Sequence, residues 1–215
     1  YAPPGVLERR YTLALALRAL KVGGRLDVMA AKDKGGSRLK KELEGFGVEV
    51  GESAKAHHRR CVVIRPETLT GVNEAIAAGA PRLVEGLDAW SQPGVFAWDR
   101  IDPASALLAA HLPADLGGRG ADLGAGWGYL ADAVLERAPG VVAMDLYEGE
   151  ARALELARTN LAGHAGRAAL GFHWHDVAAG LPGDGYDFIV SNPPSHAHDR
   201  GDRPDASARG QGQEH

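Results

Sequence analysis

The stretch "GADLGAGWGYLADAVLERA", Gly120 to Ala138, contains the pattern that decides the fold. An apolar run leads into three glycines spaced as G-x-G-x-G, and apolar residues at helical spacing follow them. The pattern predicts a strand, a sharp glycine turn and a helix, with the backbone of the turn free to approach a ligand closely. No Lys-Ser or Lys-Thr follows the glycines, so a phosphate-binding P-loop is disfavoured.

The sequence after this stretch repeats the alternation of strands and helices. The segment "GVVAMDLYEGEARALELARTNLA" predicts a strand, a turn and a helix, while "AALGFHWHDV" and "YDFIVSNPP" each predict a strand. Before the glycine turn, "DPASALLAAHL" predicts a helix that Asp102 and Pro103 open. Strands that alternate with helices in this way predict a parallel α/β sheet with right-handed crossovers.

The first third of the chain predicts a separate set of elements. Their order is helix, strand, helix, strand and strand, over residues 7–20, 25–31, 37–47, 48–53 and 60–65. Residues 67–92 are predicted to be a connecting region with one short helix near 71–79, and a domain boundary is predicted near Pro93-Gly94. We therefore expect domains over 1–66 and 93–195, a linker over 67–92, and a disordered tail over 196–215, which lacks aliphatic residues larger than Ala.

Composition limits the classes of function. The 215 residues carry a net charge of −4, so contact with nucleic acid would need a local basic patch. Basic residues cluster at 32–41 and at 57–60, where they form either such a patch or an ordinary solvated surface. No apolar run reaches the roughly 18 to 20 residues that span a bilayer, so no membrane association is expected. The single cysteine, Cys61, is interpreted as a buried strand residue, and it fits a reducing compartment.

Acidic residues follow the predicted strands at the edge where parallel sheets bind ligands. Asp145 lies 19 residues after Gly126 and is expected to end the second strand, where its carboxylate can accept hydrogen bonds from both hydroxyls of a ribose. Glu148 is an alternative one turn later. Asp176 follows the third strand and can accept a hydrogen bond from an adenine amino group. Together with the glycine turn, these acids favour adenosine binding in one crevice.

The fourth strand ends in "SNPP", where two prolines fix the backbone. Asn192 is expected beside the glycine turn if the order of strands reverses there. Its side-chain oxygen and the carbonyl of Pro193 are then free to accept hydrogen bonds from the N–H groups of a planar amine. Such contacts orient the nitrogen of the amine toward an electrophile, which is positioning more than acid-base chemistry.

Three of these motifs, "DLGAGWG", "MDLYEGEARALELARTN" and "VSNPPSH", resemble the cofactor- and amine-binding motifs of class I S-adenosylmethionine-dependent methyltransferases. The segment "PGVFAWDRIDPASALL" is similar to the lead-in of the ribosomal RNA small-subunit methyltransferase C family. The resemblance covers residues 93 to 196. It implies a Rossmann-like α/β fold, S-adenosyl-L-methionine as the cofactor, and N2 of a guanine in ribosomal RNA as the target.

The resemblance also implies roles for individual residues. Four surround the methionine part of the cofactor: Asp122, Gly124, Gly126 and Gly128. Asp145 contacts the ribose, Asp176 lies near the adenine, and Phe96 lies over the cofactor region. Asn192, Pro193 and Pro194 hold the target amine.

The first 65 residues are similar to the late part of the degenerate N-terminal methyltransferase-like domain of that family, which is thought to help bind RNA. The chain departs from the family in two places. Ser195 stands where the family has an aromatic residue, and the family's last helix and strands do not follow the fourth strand. We therefore expect a methyltransferase domain that is truncated after its fourth strand.

The resulting hypothesis is a cytoplasmic N-methyltransferase that acts on ribosomal RNA or the small ribosomal subunit. A cofactor- or RNA-binding module without activity, or an enzyme acting on adenine or on a protein glutamine amide, remain alternatives. No metal site is expected, because the histidines at 173, 175, 196 and 198 lack acidic or cysteine partners at fixed spacing.

Overall fold

The computed structural model describes residues 2–193, so the predicted disordered tail and Pro194 lie outside the described part. Helices and strands follow one another along this part of the chain. The α-helices are α1 (Val6–Ala19), α2 (Gly36–Glu44), α3 (Val72–Gly79), α4 (Pro103–His111), α5 (Tyr129–Arg137) and α6 (Ala151–Asn160). The strands are β1 (Arg25–Ala31), β2 (Gly51–Lys55), β3 (His58–Ile64), β4 (Arg82–Val84), β5 (Ala89–Ser91), β6 (Gly117–Leu123), β7 (Gly140–Glu148), β8 (Ala169–Trp174) and β9 (Phe188–Ser191).

The C-terminal unit is built on a parallel sheet with the order β8-β7-β6-β9. The glycine turn follows β6, and Leu123 at the end of β6 pairs with Ser191 of β9. Because β7 and β9 lie on opposite sides of β6, the order of strands reverses there, and a crevice opens outside the carboxyl ends of β6 and β9. The predicted parallel α/β sheet is confirmed, and Asn192 follows β9 directly at this crevice.

The two faces of this sheet differ because side chains alternate along a strand. On one face Met144 and Leu146 of β7 are fully buried with Val134 of α5 and Ala157 of α6. The other face carries Asp145 and other polar side chains of the neighbouring strands, which bond to one another.

The N-terminal unit is a three-stranded antiparallel sheet with the order β1-β3-β2. Its core contains Leu13 of α1, Leu39 of α2 and Val63 of β3. The strands β2 and β3 lie at 51–55 and 58–64 instead of the predicted 48–53 and 60–65. The bounds of the strands differ because Ala56 and His57, with φ of 47° and 59°, form a two-residue turn. This turn lacks the Gly or Asn that marks such turns in a sequence.

The segment 67–92 is more structured than the connecting region that the sequence predicts. The short helix expected near 71–79 is present as α3, and its Val72 and Ala75 belong to the N-terminal core. The strands β4 and β5 form a hairpin that the prediction missed, and Ala89 of β5 is buried with residues of the C-terminal unit. The division into domains at residue 93 stays a prediction.

Within residues 2–193, no helix combines the length and the apolar composition that crossing a membrane requires. The longest described helix is α1, which has 14 residues and includes charged side chains.

Candidate functional site

The glycine turn is held in place by the end of the neighbouring strand. The backbone N–H groups of Gly124 and Ala125 donate to the carbonyl of Tyr147 at 2.9 and 3.1 Å. Gly124, Gly126 and Gly128 have φ of 75°, 55° and 95°, a region that other residues rarely adopt. A side chain added at Gly124 or Gly126 would meet no atom within 4 Å, so one side of the turn is open to the crevice.

Glu148 is the acid that contacts this turn. It is the last residue of β7, and its Oε2 accepts a hydrogen bond from the backbone N–H of Gly126 at 2.8 Å. Its Oε1 accepts from the N–H of Glu150 at 2.7 Å. The carboxylate is therefore fixed at the carboxyl edge of the sheet, and each oxygen retains a lone pair for a further donor.

Asp145 does not lie at the end of its strand, so its predicted placement is wrong. It lies three residues earlier, on the polar face, where Arg119 Nη2 approaches its Oδ2 at 2.6 Å. His173 Nε2 is 3.0 Å from Oδ1, and the hydroxyl of Tyr186 is 3.2 Å from Oδ2. Burial raises the pKa of Asp145, but the hydrogen bonds from His173, Arg119 and Tyr186 outweigh it and hold the pKa below its usual range. Glu148, the alternative from the sequence, occupies the strand end instead.

Asp122 lies beneath the glycine turn and does not line the crevice. Its side chain is fully buried, and neither carboxylate oxygen has a hydrogen bond of normal geometry. Burial, with a smaller contribution from the charge of Glu148, raises the pKa of Asp122 to about 7, although a hydrogen bond from the Ala131 N–H opposes the shift. Asp122 therefore acts on any ligand only through the turn above it.

Asn192 is held by two residues that open α4. Its Nδ2 donates to Asp102 Oδ2 at 2.9 Å and to Ser105 Oγ at 2.8 Å. A carboxylate can only accept, so the amide must turn its NH₂ group toward Asp102 and leave its Oδ1 for other donors. Pro193 follows and is exposed, while Pro194 lies outside the described residues.

Asp102 itself is fixed and charged. Its Oδ2 accepts from the backbone N–H of Ser105 at 2.9 Å, which makes it the N-cap of α4. This hydrogen bond, and the weaker ones from Asn192 and the Ala104 N–H, hold the pKa of Asp102 below its usual range against desolvation. The sequence indicated Asp102 and Ser105 only as the start of a helix. Their contact with Asn192 spans 90 and 87 residues, and no local pattern signals it.

The crevice joins these parts into one site. It is lined by the glycine turn, by the start of α4 and α5, and by the segment before α4, with the residues Phe96, Ala97, Asp102, Ser105, Gly124, Ala125, Gly126, Trp127, Tyr129, Leu130 and Asn192. Phe96 is 65% exposed, so its ring can cover a ligand in the crevice. The structure thus brings Phe96, Gly124, Gly126 and Asn192 together, as the sequence predicts.

Asp176 lies one strand further along the same edge of the sheet. It is exposed and caps a short 3₁₀ turn, Val177–Ala179, by accepting from the Ala178 N–H at 2.9 Å. The neighbouring His175 donates its backbone N–H to the carbonyl of Glu148 at 3.0 Å. Asp176 thus follows β8, the strand that pairs with β7, whose last residue is Glu148. It does not line the crevice.

The histidines of the described region have other partners. His173 contacts Asp145, and His175 Nε2 is 2.6 Å from the carbonyl of Gly180. Among residues 2–193, one group has the composition of a metal site: His164 with Asp132 at 2.8 Å and Glu136 at 3.6 Å. The His164–Asp132 contact already joins the segment after α6 to α5, outside the crevice.

The sheet order, the glycine turn and the acid at the end of β7 define a protein of the class I methyltransferase fold. The model of the methyltransferase small domain matches residues 86–206, and the chain belongs to this family. A ribosomal RNA small subunit methyltransferase C of Vibrio vulnificus is 30% identical over 206 residues, which cover 92% of this chain and 57% of that protein. The one from Pseudomonas aeruginosa strain LESB58 is 34% identical over 194 residues, which cover 86% of this chain and 55% of that protein.

A solved structure shows the same fold. The 16S rRNA N2 G1207 methyltransferase of T. Thermophilus, in complex with AdoMet and guanosine, superposes with a TM-score of 0.67 at 23% identity. The match covers 91% of this chain and 54% of the other. The chain thus spans about half the length of the relatives that it matches.

Proposed function

We propose that the chain binds S-adenosyl-L-methionine and directs its methyl group to the exocyclic N2 of a guanine in ribosomal RNA. The observation that carries the proposal is the fixed amide of Asn192 at the crevice that the glycine turn opens. The family and the names of the relatives support the reaction and the class of substrate.

The crevice fits the cofactor at two points. The open side of Gly124 and Gly126 gives room for the methionine part against the backbone. Glu148, with both oxygens fixed by backbone N–H groups, is the residue that would accept hydrogen bonds from the ribose hydroxyls. We assign this role to Glu148 in place of Asp145, whose oxygens are occupied on the other face of the sheet. We assign Asp176 to the adenine and Phe96 to the cover of the crevice, as the resemblance implies.

The bound cofactor supplies a methyl group on a positively charged sulfur, which is electrophilic without any metal. The chain's own contribution is to hold the attacking amine. Asn192 Oδ1 and the carbonyl of Pro193 accept the two N–H groups, so the nitrogen lone pair is directed out of the plane of the base. Asn192 does not remove a proton, because an amide oxygen is a very weak base, and orientation alone contributes a large rate factor.

The first experiment is calorimetry with S-adenosyl-L-methionine. We expect the wild type to bind and Glu148→Ala to bind at least about 10-fold more weakly, since two charge-assisted hydrogen bonds are lost. Glu155→Ala, on the exposed face of α6, is the matched control and should bind as the wild type does. Unchanged binding by Glu148→Ala would contradict the assignment of Glu148 to the ribose hydroxyls.

The second experiment measures transfer of a labelled methyl group to unmethylated ribosomal RNA and small subunits. Asn192→Ala should lower kcat by about 100-fold or more with cofactor binding intact, because the amine is no longer oriented. Asn73→Ala, an exposed position on α3, is the control. Mass spectrometry should find N2-methylguanosine. Tight cofactor binding by the wild type without any labelling of RNA would favour a binding module, and labelling of adenine or glutamine would redirect the substrate.

A further inference from the structure

The side chain of Glu8 reaches from the N-terminal helix α1 to the C-terminal unit. Its Oε1 accepts a hydrogen bond from Arg152 Nη2 of α6 at 2.7 Å. The side chain of Glu8 is 13% exposed and that of Arg152 38% exposed, so water only partly screens the contact. This is a charged contact between residues that are 144 positions apart.

Through Arg152, Glu8 is connected to the segment that carries Glu148. Arg152 also forms an ion pair with Glu150, which precedes α6. The backbone N–H of Glu150 in turn donates to Glu148 Oε1 at 2.7 Å. A single arginine therefore links Glu8 to the residue whose backbone fixes the Glu148 carboxylate.

On its other side, Glu8 packs against the segment that carries Phe96. Gly94 has φ of 104°, and a Cβ there would lie within 2.7 Å of Cδ, Cγ and Oε1 of Glu8. Only a glycine backbone allows this approach, two residues before Phe96 at the crevice. Glu8 thus lies between the segment of Phe96, which lines the crevice, and the segment of Glu148, which holds the glycine turn of the crevice.

We propose that Glu8 is a positioning residue through which the N-terminal unit sets the geometry of the cofactor crevice. The proposal rests on the function proposed above and adds a role for the N-terminal unit in it. Loss of the Glu8 carboxylate leaves the Arg152 guanidinium with Glu150 as its remaining carboxylate partner. The Arg152–Glu150 pair is then free to shift, and with it the backbone N–H that fixes Glu148. The same loss opens space beside Gly94, which releases the segment before Phe96.

The test is the dissociation constant for S-adenosylhomocysteine, measured by calorimetry on the full chain beside the Tm of each variant. Wild-type binding is measured first, since its absence would refute the proposed function and not this inference. Glu8→Ala should raise Kd about 5- to 10-fold, which matches the typical size of coupling between two sites. Glu8→Gln keeps the accepting oxygen and should restore most of the affinity.

Two control variants separate positioning from general loss of stability. Val63→Ala removes buried volume in the N-terminal core, a cluster that does not include Glu8, and it should lower the Tm with Kd unchanged. Glu74→Ala, exposed on α3, should change neither. A double-mutant cycle of Glu8→Ala with Arg152→Ala should show effects on Kd that are clearly less than additive.

The inference is overturned if Glu8→Ala binds S-adenosylhomocysteine within twofold of the wild type. It is also overturned if Val63→Ala raises Kd as much as Glu8→Ala does, because any weakening of the N-terminal unit would then suffice. Fully additive effects of Glu8→Ala and Arg152→Ala would remove the route through Arg152.

Discussion

Asp122 and Asp145 lie on neighbouring strands, and their replacement by asparagine should change the pH dependence of stability in opposite directions. Asp122 is buried without a normal hydrogen bond, and its pKa is raised from 3.8 to about 7. Between these two values the folded chain keeps a proton that the unfolded chain has released. The free energy of unfolding therefore falls as pH rises from about 4 to about 7 and is constant above that range.

The size of the effect follows from the shift. A difference of about 3 pKa units at about 1.4 kcal/mol per unit amounts to roughly 4 kcal/mol at neutral pH. Asp122→Asn has no ionisable group at this position, so it should lack this loss. Relative to the wild type, the variant gains stability by up to about 4 kcal/mol between pH 4 and pH 7.

Asp145 provides the contrast within the same sheet. Its pKa is lowered, since the hydrogen bonds from His173, Arg119 and Tyr186 outweigh the effect of burial. A carboxylate with a lowered pKa stabilises the fold above its unfolded value, and this contribution disappears as pH falls through the folded value. Asp145→Asn should therefore be less stable than the wild type at neutral pH, and the difference should shrink in acid.

The assay is urea unfolding at a series of pH values, followed by tryptophan fluorescence. All four tryptophans lie at residues 90–174, so the signal reports on the C-terminal unit and avoids the separate N-terminal core. Parallel pH profiles for the wild type and Asp122→Asn would refute the argument, because Asp122 would then be ionised in the folded chain. A constant difference between Asp145→Asn and the wild type down to low pH would refute the argument for Asp145.

Three further predictions concern single positions. Gly128→Ala should destabilise the C-terminal unit by about 1–3 kcal/mol, because φ is 95° there and the new Cβ would lie 3.2 Å from that of Ala157; an unchanged urea midpoint would contradict this. Burial raises the pKa of the Cys61 thiol to about 11, so this thiol should react with a disulfide reagent at least about 100-fold more slowly in the folded chain than in urea. A rapid reaction of the folded chain would show that the thiol is exposed. Ser105→Ala removes one of the two acceptors that hold Asn192, so it should lower kcat by about 3- to 10-fold with Kd for the cofactor unchanged. A change in Kd alone would contradict the role of Ser105 in holding Asn192.

The glycine turn and the parallel sheet could be predicted because their signals are local. Three glycines within five residues mark a strand-to-helix turn, and the apolar runs around them mark the strands. The end of β7 could not be located in the same way. The run "VVAMDLYE" stays strand-like beyond Asp145, and pairing with β8 extends the strand to Glu148 opposite Trp174. Tertiary pairing therefore decided which acid contacts the glycine turn.

The contacts that fix Asn192 could not be predicted because they join distant parts of the chain. Asp102 and Ser105 have a complete local explanation as a helix cap, so the sequence gives no reason to look for another partner. The hairpin of β4 and β5 was missed for a different reason. Each of its strands has only three residues, too few to show an alternating pattern, and Gly86 in its turn, with φ of 83°, marks a loop as well as a hairpin.

The contact between Asp102 and Asn192 has an electronic consequence. The negative charge of Asp102 lies behind the amide, 2.9 Å from its nitrogen, and polarises it so that Oδ1 becomes a stronger acceptor. An amine that accepts a methyl group becomes positively charged as the new bond forms. In the proposed reaction, the field of Asp102 favours this charge from behind the amide. Asn192→Ala would remove both the orientation and this field, whereas Asp102→Asn would remove the field alone.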